Sequence, residues 1–428
     1  MPLKYFMEFS INYYMLNRII KYTMMEYLPD EPKIEDKINP NRFFKYGQIK
    51  NHDGKTFYLI TRNFRAEDNF AMNYAKSNNA ELILFTPKFE IKNKNDFLKR
   101  NLNQFIQNIK SNYHIFSEKN ELEAFINNQK IKTLIKDFNP IENFNFKENT
   151  FETIEIDSHN ICPVHYISDK QEYNAASYRR KVYHNIAEFF TEFPKTDFIK
   201  TESYEVLDNF LKNKIDTFNQ KRNDPTANVN SNLSPYLNWG FISPQRTALE
   251  VFKADTENEN KEAFFEELII RNELSDNFCF YNKNYKTLDG IPNWAKITLE
   301  EHSKDIRLQN YTIDQLENAQ TNDELWNASQ KQLVKEGKIH GYMRMYWAKQ
   351  ILLWAPSPQK ALEYAIYLND KYAYDAPSSS GYVGILWSIG GLHDRAFQER
   401  SISGKIRPMT YNGAKSKFDI KKYIATYT

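Results

Sequence analysis

The sequence predicts an α/β domain with a parallel sheet, followed by an all-α domain, and two observations support this fold class. Short β-rich runs alternate with helical runs between residues 56 and 159. Beyond about residue 165 the β-rich runs fade and long helical patterns dominate, as in "KEAFFEELIIRNELSDNF" at 261–278. Strands that alternate with helices pair in parallel through crossover connections, so the first half is expected to form a parallel sheet.

The predicted elements of the first half follow one another in a regular order. They are "TFYLITR", "EDNFAMNYAKSNN", "AELILFTP", "NDFLKRNLNQFIQNIK", "YHIFSE", "NELEAFINNQK", "IKTLIKD" and "TIEIDSH". A Rossmann-like sheet of this kind often binds dinucleotides through a glycine-rich turn. No glycine occurs between Lys55 and Trp239, so a conventional NAD site is not expected there.

We expect four segments along the chain. They are an N-terminal extension at 1–50, the α/β domain at 51–165, a polar linker at 166–200 and the helical domain at 201–428. Residues 1–25 have neither the apolar core nor the small-residue cleavage site of a secretion signal, so we do not expect a secreted protein. Met24 or Met25 is a candidate for the true start.

Composition excludes several classes of protein. The chain has 428 residues, of which 57 are Lys or Arg and 55 are Asp or Glu, so a nucleic-acid surface would have to be a local basic patch. Its two cysteines, Cys162 and Cys279, lie in no metal-binding or disulfide pattern, and no metal site is expected. No apolar run approaches 18 residues, so no membrane span is expected.

Three of the six tryptophans fall in "LWNASQKQLVKEGKIHGYMRMYWAKQILLW" at 325–354. Trp347 and Trp354 are seven residues apart, which places both rings on one helix face about 10.5 Å apart along the axis. Trp326 lies just upstream. A stripe of this kind most often packs in a core, and periodicity alone favours that interpretation.

Two other stretches carry residues suited to binding. In "NSNLSPYLNWGFISPQR", Ser234-Pro235 and Ser243-Pro244 are typical helix starts, whose free N–H groups can also hold an anion. Further on, the cations Arg395, Arg400, Lys405 and Arg407 are interleaved with Trp387 and Phe397, which suits a nucleic-acid backbone and an extruded base. Simple capping and a solvated charged face are the more common explanations. Glu267 and Arg271 lie four residues apart, which is the usual spacing of an ion pair on the surface of a helix.

Taken together, several segments closely resemble the signature segments of class II cyclobutane pyrimidine dimer photolyases. They are "NLSPYLNWGFIS", "LWNASQ", "KIHGYMRMYWAKQILLW", "YLNDKY", "GYVGILWSI" and "HDRAFQER", with "TRNFRAEDN" and "EIDSHNICPVHYISDKQEYNAASYRRKV" in the first half. The resemblance covers about residues 55–420 in consistent order. It implies an N-terminal α/β domain that holds a possible antenna pigment, of deazaflavin or folate type, and a helical domain that binds FAD.

The resemblance also implies site residues. Contacts to FAD map to Arg222, Ser231, Asn232, Leu233, Ser234, Arg344, Asn369, Ala373, Tyr374 and Asp375, with Arg344 and Asp375 as a charged pair. Asn369 would face the flavin N5, where an amide accepts a hydrogen bond without adding a second negative charge beside reduced flavin. The tryptophan stripe becomes an electron relay to the flavin, in which Trp347 is proximal, Trp326 is middle and Trp354 is distal.

Damaged DNA is the implied partner, with the dimer flipped out of the duplex. Its contacts map to Glu267, Arg271, Met345, Trp387, Asp394, Arg395, Arg400 and Lys405. This sequence departs from the family pattern at Phe218, Asn238 and Trp239 and in "DAPSSSG" at 375–381.

The implied function is light-driven repair of pyrimidine dimers by electron transfer from reduced FAD, that is, a carbon-carbon lyase. The alternative is a cryptochrome-like blue-light photoreceptor without repair activity. We expect a monomer without membrane attachment that acts wherever the genomic DNA is, in the cytoplasm or nucleoid.

Overall fold

The computed structural model describes residues 23–147 and 150–428, and a six-stranded sheet forms its first half. The strands are β1 (Phe43–Gly47), β2 (Lys55–Ile60), β3 (Glu81–Phe85), β4 (Tyr113–Phe116), β5 (Ile131–Asp137) and β6 (Glu152–Ile156). Their order across the sheet is β1-β6-β5-β2-β3-β4. All neighbours are parallel except β1, which is antiparallel to β6. The predicted parallel sheet is therefore confirmed.

Three helices of the sheet domain connect or flank its strands: α1 (Phe70–Ser77), α2 (Lys92–Asn108) and α3 (Lys119–Asn128). Strand β2 lies centrally, and Tyr58, Leu59 and Ile60 are fully buried. Their side chains enter two different hydrophobic clusters, because successive residues of a strand face opposite sides of the sheet. A strand covered on both faces gives the continuous apolar run that the sequence showed.

The second half is helical, as predicted. Its helices are α4 (Val164–Ile167), α5 (Ala175–Phe189), α6 (Glu202–Asn213), α7 (Phe218–Lys221), α8 (Ser234–Asn238), α9 (Pro244–Lys253), α10 (Asn258–Phe265), α11 (Asn272–Tyr281), α12 (Asn293–Glu301), α13 (Ile313–Glu317), α14 (Glu324–Glu336), α15 (Gly341–Trp354), α16 (Pro358–Tyr372), α17 (Ser379–Gly390), α18 (Tyr411–Lys415) and α19 (Ile420–Tyr427). A π-helical segment, Glu266–Arg271, joins α10 to α11.

Two observations differ from the predicted segments. Strand β1 belongs to the sheet although it lies inside the predicted extension at 1–50, and its mostly exposed side chains gave no apolar pattern to recognise. The predicted linker at 166–200 contains the helix α5, which buries Tyr178, Val182 and Ile186 along one face. The overall polarity of this stretch concealed its helical stripe. The expectations for residues 1–22 lie outside the described residues.

The two halves meet through buried polar contacts at the carboxyl end of the sheet. Arg62, just after β2, forms two hydrogen bonds of 2.6 and 3.0 Å with the carboxylate of Asp276 on α11. Gly240 has a φ of +62° and approaches so closely that an added Cβ would lie 2.2 Å from the Arg62 carbonyl oxygen. A residue with a side chain would therefore separate the halves at this point.

Within residues 23–147 and 150–428, no helix is long and apolar enough to cross a membrane. The same residues contain no group of three or more His, Cys, Asp or Glu side chains arranged to hold a metal ion.

Candidate cofactor and nucleic-acid site

The turn at 231–234 leads into α8 but differs in detail from the predicted cap. Leu233 occupies the N-cap, and Ser234 is the first helical residue. The prediction that Ser234 caps this helix is therefore wrong. The corresponding prediction for Ser243 is correct. Its hydroxyl accepts a hydrogen bond from the Arg246 amide at 3.3 Å, and Pro244 is the first residue of helix α9.

Two lysines that sequence reasoning missed lie beside this turn. The Lys338 ammonium donates to the Asn232 side-chain oxygen at 2.6 Å, and the Lys214 ammonium lies 3.4 Å from the Asn230 carbonyl oxygen. Burial lowers the pKa of Lys338 to about 8, with help from Arg344 and Lys214, although Asp375 opposes the shift. The one available signal was that Lys338 opens the quoted segment "KIHGYMRMYW". The turn thus carries closely spaced cations, an arrangement suited to a polyanion.

Arg344 and Asp375 form the predicted charged pair. Arg344 on α15 approaches the two oxygens of the Asp375 carboxylate at 3.2 and 3.4 Å. Burial by itself would raise the pKa of Asp375, but Arg344, the Ser234 hydroxyl and Lys338 together hold that pKa below its ordinary value. Ser234 therefore serves this carboxylate, and the pair keeps one charge of each sign next to the 231–234 turn.

Asn369 lies at the end of α16 with its side chain buried. Its amide donates to one oxygen of Asp370 at 3.1 Å, and the Tyr382 hydroxyl holds the other at 2.8 Å. The amide nitrogen also lies 3.2 Å from the place where a Cβ on Gly381 would stand. These contacts fix which way the amide points, because its nitrogen is engaged and its oxygen remains to accept.

Ala373 and Tyr374 continue from α16 toward the turn. Ala373 is fully buried, and its amide donates to the Asn369 carbonyl oxygen at 2.9 Å. The Tyr374 amide donates to the Gly337 carbonyl oxygen at 2.9 Å, which draws the segment toward Lys338. The Tyr374 ring stacks on Phe97 of the sheet domain at 5.3 Å between ring centroids.

The positions that depart from the family pattern have definite contacts. The Trp239 indole N–H donates to the Tyr374 carbonyl oxygen at 2.8 Å, and the Asn238 amide donates to the Pro377 carbonyl oxygen at 3.2 Å. Both tie the end of α8 to the 374–377 segment. Phe218 is buried edge-on against Phe210, at 5.6 Å between ring centroids. These residues join the segments of the candidate site.

The three tryptophans form one continuous series of rings. Trp326 on α14 lies parallel to Trp347 on α15, at 6.3 Å between centroids and an interplanar angle of 4°. Trp326 also meets Trp354 edge-on at 5.5 Å. Trp326 is therefore the middle member, in the order expected. Trp347 lies one helical turn from Arg344, so the series begins next to the charged pair.

Hydrogen bonds hold the indole groups of the first two rings in place. The Trp326 N–H donates to the Trp347 carbonyl oxygen and the Trp347 N–H donates to the Gln330 side chain, each at 2.9 Å. Trp326 and Trp347 are at most 1% exposed and Trp354 is 7% exposed. The Tyr311 ring meets Trp354 edge-on at 5.2 Å and adds a fourth aromatic group that the sequence had not indicated.

The π-helical segment carries Glu267 and Arg271, and it changes their expected pairing. Arg271 pairs with Glu266 at 2.9 Å, whereas Glu267 pairs with Arg222 at 2.6 Å. The i,i+4 pair of Glu267 with Arg271 does not form, because a π-helix brings residues five apart into register. The Glu267–Arg222 pair instead connects an expected lesion contact to an expected flavin contact.

Trp387 on α17 is half-buried and belongs to none of the hydrophobic clusters. The Arg271 guanidinium lies 5.9 Å from its ring centroid, and its indole N–H donates to Asp394 at 3.3 Å. Met345 is half-buried on α15, next to Arg344. The Trp387 ring is therefore neither packed in the core nor fully exposed.

The basic loop, residues 394–407, follows Trp387 and is exposed at most of its cations. Arg395 and Arg400 are exposed and Lys405 is partly so. Arg407 lies 4.6 Å from the Phe397 ring centroid and pairs with Asp394 at 3.2 Å. The Arg400 amide donates to the Gly404 carbonyl oxygen at 3.0 Å, which closes a tight turn.

A cavity of about 200 Å³ lies where the carboxyl ends of the strands meet the helical half. Thr61, Phe85, Glu142, Phe144, Trp239 and Ser378 are among its lining residues. The connection after β2 runs to β3 on one side and the connection after β5 runs to β6 on the other, so the direction of winding reverses between β2 and β5 at this edge. Ligands of open α/β sheets bind at such switch points.

Curated proteins similar to this chain share one name, deoxyribodipyrimidine photo-lyase. The protein of Potorous tridactylus is 40% identical over 71% of this chain and 66% of its own length. That of Oryza sativa subsp. japonica is 40% identical over 71% of each chain, and that of Arabidopsis thaliana is 35% identical over 87% of this chain and 88% of its own. No family profile matches the chain.

Solved structures agree on the fold at low sequence identity. A class III photolyase from Agrobacterium tumefaciens superposes with a TM-score of 0.64 at 14% identity, covering 87% of this chain and 86% of that one. A Sulfolobus tokodaii photolyase, described with two FAD molecules, gives 0.59 at 16% identity over 87% and 90%. A Synechocystis cryptochrome gives 0.62 at 12% identity over 87% and 86%. From the extent of the sequence identity, this chain belongs to the deoxyribodipyrimidine photo-lyase family.

Proposed function

We propose that this protein is a light-driven lyase that repairs cyclobutane pyrimidine dimers in DNA with bound FAD, and that it is of class II. The observation that carries the proposal is the ring series Trp347–Trp326–Trp354, which starts one helical turn from the Arg344–Asp375 pair. A tryptophan stripe that serves only core packing needs no charged pair at its end. An electron relay must end at a redox group, and Arg344 and Asp375 are among the residues proposed to contact FAD.

The residues present fit FAD. Lys338 contacts Asn232 of the 231–234 turn, Lys214 contacts the preceding Asn230 and Arg344 contacts Asp375, and this group of cations suits the diphosphate of FAD. The residues proposed to hold FAD are Arg222, Ser231, Asn232, Leu233, Ser234, Arg344, Asn369, Ala373, Tyr374 and Asp375, to which we add Lys338. When bound and reduced, the flavin supplies an electron on absorbing light.

The protein's own residues orient the flavin, shield the electron path from water and conduct the electron. Asn369 presents an amide oxygen as an acceptor, because Asp370 engages its nitrogen. The buried rings of Trp347 and Trp326 exclude water from the path of the electron. Trp354 and, beyond it, Tyr311 extend that path toward the surface. A metal or a hydrolytic base has no part in this proposal.

The flipped dimer is proposed to lie against Trp387, bordered by Glu267, Arg271 and Met345. Asp394 and Arg395 would face the gap left in the duplex, and Arg400 and Lys405 would contact phosphates. The half-buried Trp387 ring, which belongs to no hydrophobic cluster, supports this assignment. The photoreceptor alternative shares the fold but has no use for such a face or for a basic loop.

A second chromophore of deazaflavin or folate type is proposed for the cavity at the carboxyl ends of the strands. The Sulfolobus tokodaii structure is described as implying a light-harvesting cofactor. We further propose that the protein acts as a monomer wherever genomic DNA is, in the cytoplasm or nucleoid, without secretion, and that it has two domains, the sheet domain, which includes β1, and the helical domain at 201–428.

The test is repair of a dimer-containing oligonucleotide by the purified protein in light and in darkness, together with the absorption spectrum. We expect a flavin spectrum and repair only in light. A protein that binds flavin but leaves the dimer intact in light would favour the photoreceptor. A flavin-free protein would contradict both functions.

A further inference from the structure

The basic loop rests on the end of α12 through contacts centred on His302. The His302 ring lies between two carboxylates, with Nδ1 2.7 Å from Asp305 and Nε2 2.9 Å from Glu399. Glu399 belongs to the basic loop, whereas His302 and Asp305 follow α12. The ring therefore connects the loop to the body of the helical domain, and its side chain is only 18% exposed.

Asp305 extends the attachment to the centre of the turn. Its carboxylate accepts hydrogen bonds from the Ile402 amide at 2.8 Å and the Ser401 hydroxyl at 3.0 Å. The backbone at Gly404 has a φ of +52°, and an added Cβ there would lie 3.0 Å from the His302 ring. The turn therefore sits directly against His302.

The charge of His302 follows from its two partners. Each ring nitrogen faces a carboxylate oxygen, so both nitrogens donate only in the imidazolium form. The hydrogen bonds to Asp305 and Glu399 raise the pKa of His302. The Ile402 amide and His302 lower the pKa of Asp305 to about 2, and His302 also lowers the pKa of Glu399. Both carboxylates are thus ionised near neutral pH.

We propose that His302 is a positioning residue for DNA binding, which holds residues 399–405 in the conformation that presents Arg400 and Lys405 to phosphates. The inference rests on the proposed function, since it takes those two side chains as DNA contacts. A loop that is ordered before binding loses less conformational entropy when it binds, so the bridge strengthens binding without touching DNA.

The proposal predicts a pH dependence with a definite sign. The pKa of His302 is raised in the folded protein, so the bridge is complete below the ordinary histidine pKa and is lost as pH rises through the raised value. The charged groups facing the bridge are Asp305, Glu399, Lys405 and Arg307. The two carboxylates have lowered pKa values and stay charged near neutral pH.

The experiment measures affinity for undamaged and dimer-containing duplexes at fixed ionic strength, from about pH 6 to about pH 9. At the acidic end of this range, His302→Ala is expected to lower the affinity for both duplexes by about threefold to fivefold. It should also make the affinity less dependent on pH. His302→Arg keeps two donors and a permanent charge, so it should retain the affinity at alkaline pH. His52→Ala, at an exposed histidine of the sheet domain, is the matched control.

Glu399→Ala separates positioning from direct contact. If His302 acts through Glu399, this variant weakens binding, and the double variant with His302→Ala is no weaker than either single one. If His302 instead touches phosphate, removal of the Glu399 charge strengthens binding, which would overturn the proposal. A His302→Ala protein with an unchanged pH profile would overturn it equally.

Two further measurements distinguish failure of this inference from failure of the proposed function. Flavin content and light-driven repair at saturating DNA should be unchanged in His302→Ala, because His302 lies outside the cofactor site. If Arg400→Ala and Lys405→Ala leave DNA binding intact, the loop is not a DNA contact and the proposed interface is wrong. If those two weaken binding and His302→Ala does not, only the positioning role is wrong.

Discussion

The tryptophan series and the basic loop are both assigned to one photoreaction, yet they are held in place by different interactions. Trp347 and Trp326 are almost completely buried, and hydrophobic packing on all sides fixes them, with one hydrogen bond from each indole N–H. The basic loop exposes most of its cations, and apart from the buried Ile406 it is fixed by individual hydrogen bonds that involve Asp305, His302 and Thr298. Packing is shared among many neighbours, whereas a polar attachment depends on a few groups.

The comparison teaches where function can be separated from stability. Truncation of a buried ring leaves a cavity, so loss of the fold and loss of electron transfer would be confused. On the loop, a side chain can be removed with little effect on the free energy of unfolding, because surface substitutions change it by about 0.5 kcal/mol or less. The buried series therefore requires substitutions that conserve size.

Trp347→Phe is expected to have the largest effect. A phenyl ring fills most of the site, and leaving the buried Gln330 oxygen without its donor costs about 1 to 3 kcal/mol of unfolding free energy. Photoreduction of oxidised FAD should be abolished, because phenylalanine is much harder to oxidise than tryptophan. Repair that starts from chemically reduced enzyme should continue. Flavin absorbance during illumination measures photoreduction, and an assay with a dimer-containing oligonucleotide measures repair.

Trp294→Phe is the matched control, because Trp294 is a partly buried tryptophan outside the ring series. It should photoreduce like the parent protein. If Trp347→Phe also lost repair from the reduced state, the ring series would be a packing stripe, and the buried and exposed regions would not differ as argued.

Trp387→Ala tests the region between the two extremes, since this ring is half-buried. Loss of the stacking face should cost about 1 to 3 kcal/mol of binding to dimer-containing DNA. Binding to undamaged DNA should change little. The ratio of the two affinities is the measurement, and an unchanged ratio would mean that the dimer does not lie on Trp387.

Arg400→Ala should give the smallest effect. Loss of one phosphate contact weakens binding to damaged and undamaged DNA equally. It also lowers the magnitude of the slope of log affinity against log salt concentration by about one. Binding across a salt series measures that slope. An effect confined to damaged DNA would place Arg400 at the lesion and not on the backbone.

Much of the fold could be predicted because its signals are local. The strands β2, β3 and β5 are apolar runs between helical runs, and their parallel pairing follows from that alternation. Strand β1 could not be predicted, because it joins β6 from 105 residues or more away in sequence and buries little. Helix α5 was hidden by its polar exposed face.

The candidate site divides in the same way. The order Trp347, Trp326, Trp354 and the Arg344–Asp375 pair followed from the resemblance, and the geometry agrees with both. The cap at Ser234 and the Glu267–Arg271 pair were wrong, because a turn with Leu233 as its cap and a π-helical register replaced the regular helix that local spacing assumes. Lys338 opened a quoted segment without being singled out, and Tyr311 lay in no segment that the sequence had indicated.

The sequence by itself determined the two halves, the helix that carries Trp347 and Trp354, and the family, since these depend on residue order along the chain. Only the tertiary structure decided which side chains from distant parts of the chain come into contact. Trp326 parallel to Trp347, Lys338 beside Asn232, and His302 between Asp305 and Glu399 are such meetings. Their physical cause is packing of distant elements, which chooses partners by shape and charge and not by spacing in the sequence.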